Sequence, residues 1–379
     1  MRTRRRSDRW TFLALALAVA AVATAEEPQK WLERMNRALL SRNYDGVFSH
    51  WQGGKVEMLR IIHRVQHGTV TERLVSLDGS GREFIRRGSE LACYLPDEHT
   101  VLVQRDPRPK LLLGNLPSFD ASASHFYSIS DVRRVRVLGR PAQLIAVDPR
   151  DEFRYGYRLW IDESTAMPLK TQLCDRNGQV LEQVIFASLT TPRRIPDAAF
   201  EPAVSTQGFT WLHEEVVPAT GSGEPVLWSA VRLPPGFRMS ARQAQVMPGS
   251  HVPAAHLVFS DGVASVSVFV ESRVRSSTER PLNGSAQFGS SSAFSAVIEG
   301  HQVTAVGEVP LNTVRFIVSE VRARPHEDPP DVPAPGSPAA ASASSAHTSA
   351  SPASADPSPA FPAPASSAFA APAALPARH

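Results

Sequence analysis

From Tyr44 to Leu189 the chain never runs far without meeting a turn former, and that spacing constrains its fold more than any other feature. Gly53-Gly54, His67-Gly68, Asp78-Gly79-Ser80-Gly81, Gly88-Ser89, Pro96-Asp97, Gly139-Arg140-Pro141 and Asn177-Gly178 cut the stretch into short apolar segments. Glycine supplies the positive φ of tight turns, and proline interrupts helices and ladders alike, so long helices are excluded. The pieces between predict strands over Asp45–Trp51, Val56–Gln66, Thr69–Leu77, Arg82–Arg87, Glu90–Leu95 and Thr100–Gln104. Five more follow over Arg133–Leu138, Gln143–Asp148, Tyr155–Asp162, Leu169–Cys174 and Val180–Ser188. Consecutive strands joined by tight turns make an antiparallel meander. Leu59, Ile61 and Val65 alternate with Met58 and Ile62, and Tyr157, Leu159 and Ile161 with Trp160. Both faces of the sheet therefore need cover.

One cover lies just upstream. Pro28 can open a helix in which Trp31, Leu32, Met35, Ala38 and Leu39 share a face, ending near Asn43. With the irregular or helical stretch from Asp106 to Asp131, it can cover one face of a curved, partly closed barrel of about eleven strands. Glu201 to Pro225 is low in periodicity and holds Gly221-Ser222-Gly223, which marks a linker, set at residues 202–226. A second, smaller α+β domain over 227–324 follows, after a first domain over 26–201. In it Asp261-Gly262 reads as a two-residue hairpin between Ala255–Ser260 and Val263–Glu271. Ala293–Ile298 and Gln302–Gly307 flank Glu299-Gly300-His301, and Pro310 opens a last helix.

The two ends of the chain are of another kind. Pro325 to His379 is 55 residues long and contains 13 Pro, 18 Ala and 10 Ser. Such a segment buries too little apolar surface to offset its ordering entropy and is expected to be disordered. At the N-terminus, Arg2, Arg4, Arg5, Arg6 and Arg9 precede an apolar run from Trp10 to Val22, then Ala23-Thr24-Ala25. The run is shorter than the roughly 20 residues of a membrane span. It reads as a secretory signal cleaved after Ala25 rather than an anchor, and no Cys follows to take a lipid. The formal charge of +3 is misleading, because the leader carries +4 and leaves the mature chain at −1. That is no footprint for a polyphosphate duplex, and nucleic acid is not an expected partner. Only Cys93 and Cys174 are present. Export would let them pair, and the Cα separation that decides it is not in the sequence.

Catalytic signatures are missing. His63 and His67, four apart on a strand, stand about 13 Å from each other and share no metal. His213-Glu214 lacks the second His of a zinc helix, and Gly289-Ser290-Ser291-Ser292 runs on to Ala293 rather than forming a nucleophile elbow. None of the four lysines sits in a phosphate loop. No catalytic residue, metal or cofactor is expected. Arginine clusters remain at Arg82, Arg86, Arg87, at Arg105, Arg108 with Lys110, and at Arg133, Arg134, Arg136. The planar guanidinium suits phosphate and carboxylate, yet Arg supplies 36 of the 40 basic residues here, and solvated charge explains the clusters equally well.

Several short motifs then carry a resemblance. They are Asn43-Tyr44-Asp45-Gly46, Leu77-Asp78-Gly79 with Arg82-Glu83-Phe84-Ile85-Arg86-Arg87-Gly88, Tyr157-Arg158-Leu159-Trp160-Ile161-Asp162 through Pro168-Leu169-Lys170, Leu233-Pro234-Pro235-Gly236-Phe237, Phe259-Ser260-Asp261-Gly262 and Val306-Gly307-Glu308-Val309-Pro310. In this order, from about Trp31 to Val321, the chain resembles the MucB/RseB family of periplasmic negative regulators of sigma-E/AlgU-type extracytoplasmic sigma factors. The Pro/Ala/Ser tail has no counterpart there. The resemblance implies an α+β protein: a large LolA/LolB-like half-open antiparallel β-barrel domain with covering helices, plus a smaller α+β C-terminal domain. It implies a periplasmic protein that grips the periplasmic part of a single-span, MucA/RseA-like anti-sigma factor and shields it from proteolysis. Lipid or lipopolysaccharide loosens that grip. Candidate partner-binding residues are Trp228, Phe237, Phe259 and Asp261. For lipid, the apolar face of Trp31, Leu32, Met35 and Leu39 could wall a pocket, with Arg82, Arg86 and Arg87 at its mouth for phosphate; an ordinary closed core would produce the same pattern. A periplasmic lipid or lipoprotein carrier is the alternative function, and homo-oligomerisation stays open.

Overall fold

The structure, a computed structural model, describes residues 27–105, 111–113, 119, 125–214, 227–246, 253–272 and 283–324. The signal segment and the Pro/Ala/Ser tail lie outside them. Helix α1 (Pro28–Ser41) starts with proline in its first turn, where the missing N–H has no partner to lose, and ends as Arg42 N–H donates to the Ala38 carbonyl. Eleven strands follow, close to the predicted ones: β1 (Tyr44–Gln52), β2 (Lys55–Gln66), β3 (Thr69–Ser76), β4 (Glu83–Arg87), β5 (Glu90–Leu95), β6 (Thr100–Arg105), β7 (Tyr127–Val137), β8 (Arg140–Pro149), β9 (Gly156–Asp162), β10 (Pro168–Cys174) and β11 (Val180–Thr190). The meander runs outward in two arms, β1 to β6 and β11 back to β7, joined where β1 pairs with β11. Phe48 is thereby opposite both Leu59 and Phe186. The sheet is not closed.

Two elements depart from expectation. β7 begins at Tyr127, inside the stretch read as irregular or helical, because Tyr127 is buried and pairs with Pro149. Within the expected linker, β12 (Thr210–Glu214) adds a twelfth strand, parallel to β6, at the sheet edge. Its approach segment is also packed, since Ile195 and Phe200 cover Ile62, while Val204 and Phe209 cover Ile85, Ala92, Tyr94, Val101 and Val103. The outer face thus acquires a cover that low periodicity concealed. The inner face receives α1, whose Trp31, Leu32, Met35, Ala38 and Leu39 join Leu59, Ile61, Leu74, Phe48 and Phe186. Full burial of each Leu, Ile, Met or Phe among them stabilises by roughly 1.5–3 kcal/mol. Leu112, Leu113 and Phe119 enter the same core. Their segment is tied down by Glu72, which accepts from the Leu112 N–H at 2.9 Å and meets His63 Nδ1 at 3.0 Å. His63 is therefore a fully buried histidine stacked on Tyr44, with its Nδ1 engaged by Glu72.

The second domain holds β13 (Leu227–Ala230), β14 (Arg238–Val246), β15 (Pro253–Ser260), β16 (Ser265–Ser272), β17 (Gly284–Phe288), β18 (Ser291–Ile298), β19 (His301–Gly307), α2 (Leu311–Glu320) and β20 (Val321–Arg324). Six of them form one sheet in the order β14-β15-β16-β19-β18-β17, while β13 pairs with β20. Val314, Ile317 and Val318 of α2 pack against Leu257, Val266, Val268 and Val303. The Asp261-Gly262 hairpin is longer than expected. Ser260 pairs with Ser265, so four residues turn rather than two. The Asp261 carboxylate holds the wider loop by accepting from the N–H groups of Val263 and Ala264. Cys93 and Cys174 are free thiols. They lie six strand positions apart in the sheet, far beyond disulfide reach.

Candidate ligand cavity and domain joint

Where β1, β11, β10 and β9 curve under Leu113, the inner face leaves a cavity that opens to solvent at its mouth. Alternation points Phe48, Leu169, Leu173, Val184 and Phe186 into it, so its walls are chiefly apolar. The polar lining residues are Tyr157, Lys170, Thr171, Gln172 and Glu182 from the sheet and Glu308 from the second domain, which completes the rim. Burial, and then the charges of Glu308, Glu182 and Asp261, push the Tyr157 phenol well above its ordinary range. It is neutral at any physiological pH and can only offer a hydroxyl.

The second domain is attached on both sides of this cavity. On the β7–β9 side, Arg154 is fully buried, and its Nη1 donates to Asp261 Oδ2 at 2.8 Å. Its Nε donates to Asp151 and its Nη2 to the Pro235 carbonyl. The guanidinium is ringed by Phe126, Tyr127 and Phe237, with centroids 4.8, 5.5 and 5.3 Å from Cζ. Tyr127 donates to Asp261 as well, and Thr313 donates to the Phe153 carbonyl. Burial pushes the Asp261 carboxyl up, opposed by Arg154 and by the hydrogen bonds it accepts. Gly236 is required here: its φ is +81°, and a Cβ would meet the Phe126 ring at 2.4 Å. Parting Arg154 from Asp261 would strand buried charge, at a cost of about 3–5 kcal/mol.

On the β1/β11 side the attachment is lighter. Ser290 donates to Glu182 Oε2 at 2.8 Å, and Gln52 Nε2 reaches Ser290 Oγ at 2.6 Å. Glu182 also meets His50 Nε2 at 2.9 Å and accepts from Gln52 at 3.3 Å, both from its own domain. Gly289 makes the approach close: its φ is +59°, and a Cβ would lie 2.3 Å from Gln52 Cγ. Each such hydrogen bond is worth about 0.5–1.5 kcal/mol net, more where a charge takes part.

The residues singled out by sequence fall elsewhere. Trp31, Leu32, Met35 and Leu39 are core, at 6%, 0%, 0% and 4% exposure, and are not among the cavity walls. The three arginines do not share a face. Alternation along β4 puts Arg86 inward with Phe84, where it faces Glu72 at 3.9 Å, and Arg87 outward, donating to the Phe200 carbonyl. Arg82 precedes β4 and faces Glu57 at 3.7 Å. All are four strand positions from β11, so the structure does not bring them to the cavity mouth. Trp228, Phe237, Phe259 and Asp261 are buried, Phe237 and Asp261 in the Arg154 joint and the other two in the second core. Arg154, Gln52 and Glu182 escaped the sequence reading, and Ser290 and Glu308 entered it only inside short motifs, with no site role. Only the two turn glycines, Gly236 and Gly289, hinted at them.

The first domain is thus an open sheet with an apolar hollow, closed at one rim by a second domain. Residues 27–204 match the MucB/RseB N-terminal domain and residues 222–322 the MucB/RseB C-terminal domain, and the chain belongs to the MucB/RseB family. It is 32% identical over 324 residues to the sigma factor AlgU regulatory protein MucB of Pseudomonas aeruginosa, covering 82% of this chain and 96% of that protein. To the sigma-E factor regulatory protein RseB of Haemophilus influenzae it is 28% identical over 322 residues, covering 83% and 98%. The structure of the Pseudomonas aeruginosa MucA/MucB complex matches with a TM-score of 0.62 at 29% identity, over 79% of this chain and all of that chain.

Proposed function

We propose that this chain is a periplasmic regulator that binds the periplasmic part of a membrane anti-sigma factor. Held so, the anti-sigma factor is shielded from the protease that begins its destruction, and its sigma factor stays inactive. The observation that carries this reading is the match of both domains, in order, to a family with a solved MucA complex. The cavity supports the second half: an acyl chain entering it, worth about 0.8 kcal/mol per buried CH₂, is the signal that loosens the grip. The test is cleavage of the anti-sigma periplasmic segment with and without the mature protein. Slower first cleavage is expected, and equal rates would overturn the regulatory reading. The carrier alternative rests on the same cavity. It requires transfer of bound lipid to an acceptor without any effect on that cleavage.

A further inference from the structure

The two attachments of the second domain differ in a way that assigns them different jobs. Around Arg154, opening would leave the buried Asp261 carboxylate without its cation, while the equally buried Arg154 would keep only Asp151 of its own domain. Val263, beside Asp261, also packs into the large domain's core. Around Ser290 the situation is the reverse. If that turn swings away, Glu182 keeps His50 and Gln52 from its own domain, and the Ser290 hydroxyl is released to water. Glu182 is at the same time a wall of the cavity, and the facing wall, Glu308, moves with the second domain.

We propose that the Arg154–Asp261 joint is a hinge and the Ser290–Glu182–Gln52 contact a gate, so that the second domain swings about the first to admit an apolar chain to the cavity between them. This rests on the reading that the cavity takes such a chain. The gate sets how fast the guest enters and leaves. The walls set how tightly it is held. Because Ser290 lies in the turn after β17, opening also moves the β17–β18 hairpin away from the tip of the β1–β2 hairpin, against which Gly289 is packed. Occupancy of the cavity is thereby coupled to the relative position of the two domains.

The experiment follows entry and exit of cis-parinaric acid, a fluorescent fatty acid, by stopped flow with the mature full chain. Ser290→Ala and Gln52→Ala are each expected to speed entry and exit together by about tenfold, with little change in Kd. A side chain that merely shaped the site would alter Kd instead. Leu173→Trp, or Val184→Phe should that variant not fold, fills the cavity and is expected to abolish the signal. If the filled variants lose the probe while Ser290→Ala and Gln52→Ala keep wild-type rates, the gate is refuted and the cavity stands. If the filled variants bind as before, the probe sits elsewhere and the cavity reading itself falls, taking the gate with it.

Discussion

Arg154 is the residue on which most of the interdomain chemistry converges. Replacing it by Met retains much of its volume but leaves Asp261 buried opposite an apolar group, and Arg154→Met is expected to cost about 3–5 kcal/mol. Adding Asp261→Asn should recover part of that loss, since the stranded charge is then gone; chemical denaturation of the two single variants and the double variant measures the coupling. Additive losses would show that the pair does not act as a unit. Asp162 allows a second test. Burial alone would raise its carboxyl, but hydrogen bonds from Ser164 and Thr165, together with Arg140, outweigh it and hold the group below its ordinary 3.8. A depressed folded pKa contributes stability above the unfolded value, lost as pH falls through the folded one. The stability gap between wild type and Asp162→Asn should therefore be widest near neutrality and shrink below about pH 4. Thermal midpoints from pH 7 to pH 3 check this; a constant gap would contradict it. Neither residue could be singled out from sequence, where both are ordinary members of a charge-rich stretch.

At the scale of elements, α1 separates a lipid wall from a core. Met35 has no exposed surface and packs with Leu59, Ile61 and Phe186. Met35→Ala is expected to cost about 2–5 kcal/mol of stability, with the rate and affinity for cis-parinaric acid unchanged in the folded protein. Loss of probe affinity at unchanged stability would restore the helix face as a ligand wall. The strands themselves were legible because two signals agree: period-two apolar alternation, and glycine or proline wherever the chain reverses. β12 was not, because Thr210–Glu214 is five residues of mixed polarity whose Trp211 and Leu212 stay half exposed. It is strand only because β6 offers an edge. The four-residue loop at Asp261 was misread for a related reason. Asp-Gly favours a two-residue turn locally, but the carboxylate is committed to two loop N–H groups and to Arg154.

For the whole molecule, the Arg154 joint predicts coupled unfolding. Wild type should melt in a single transition, and Arg154→Met should split it into two, which scanning calorimetry resolves; a single transition in the variant would place the coupling elsewhere. Truncation after Arg324 is expected to leave the main midpoint unchanged, since the tail's composition offers little to bury. A fall of several degrees would show that it docks.

The sequence by itself determined what depends on near neighbours. Turn formers at short intervals and alternating apolar residues dictate an antiparallel meander, and Pro28 followed by Trp31, Leu32, Met35 and Leu39 dictates an amphipathic helix that must be buried. Short motifs spread over both domains were enough to place the chain in its family. Tertiary structure alone decided which faces those elements share. Arg86 and Arg87 are adjacent in sequence, yet the pleat sends them to opposite sides of β4. Arg154 and Asp261, 107 residues apart, meet because two domains close over one rim. The cavity has the same origin: Leu173, Val184 and Phe186 look like any core residues, and an empty space among them is a property of curvature and closure, which no local pattern encodes.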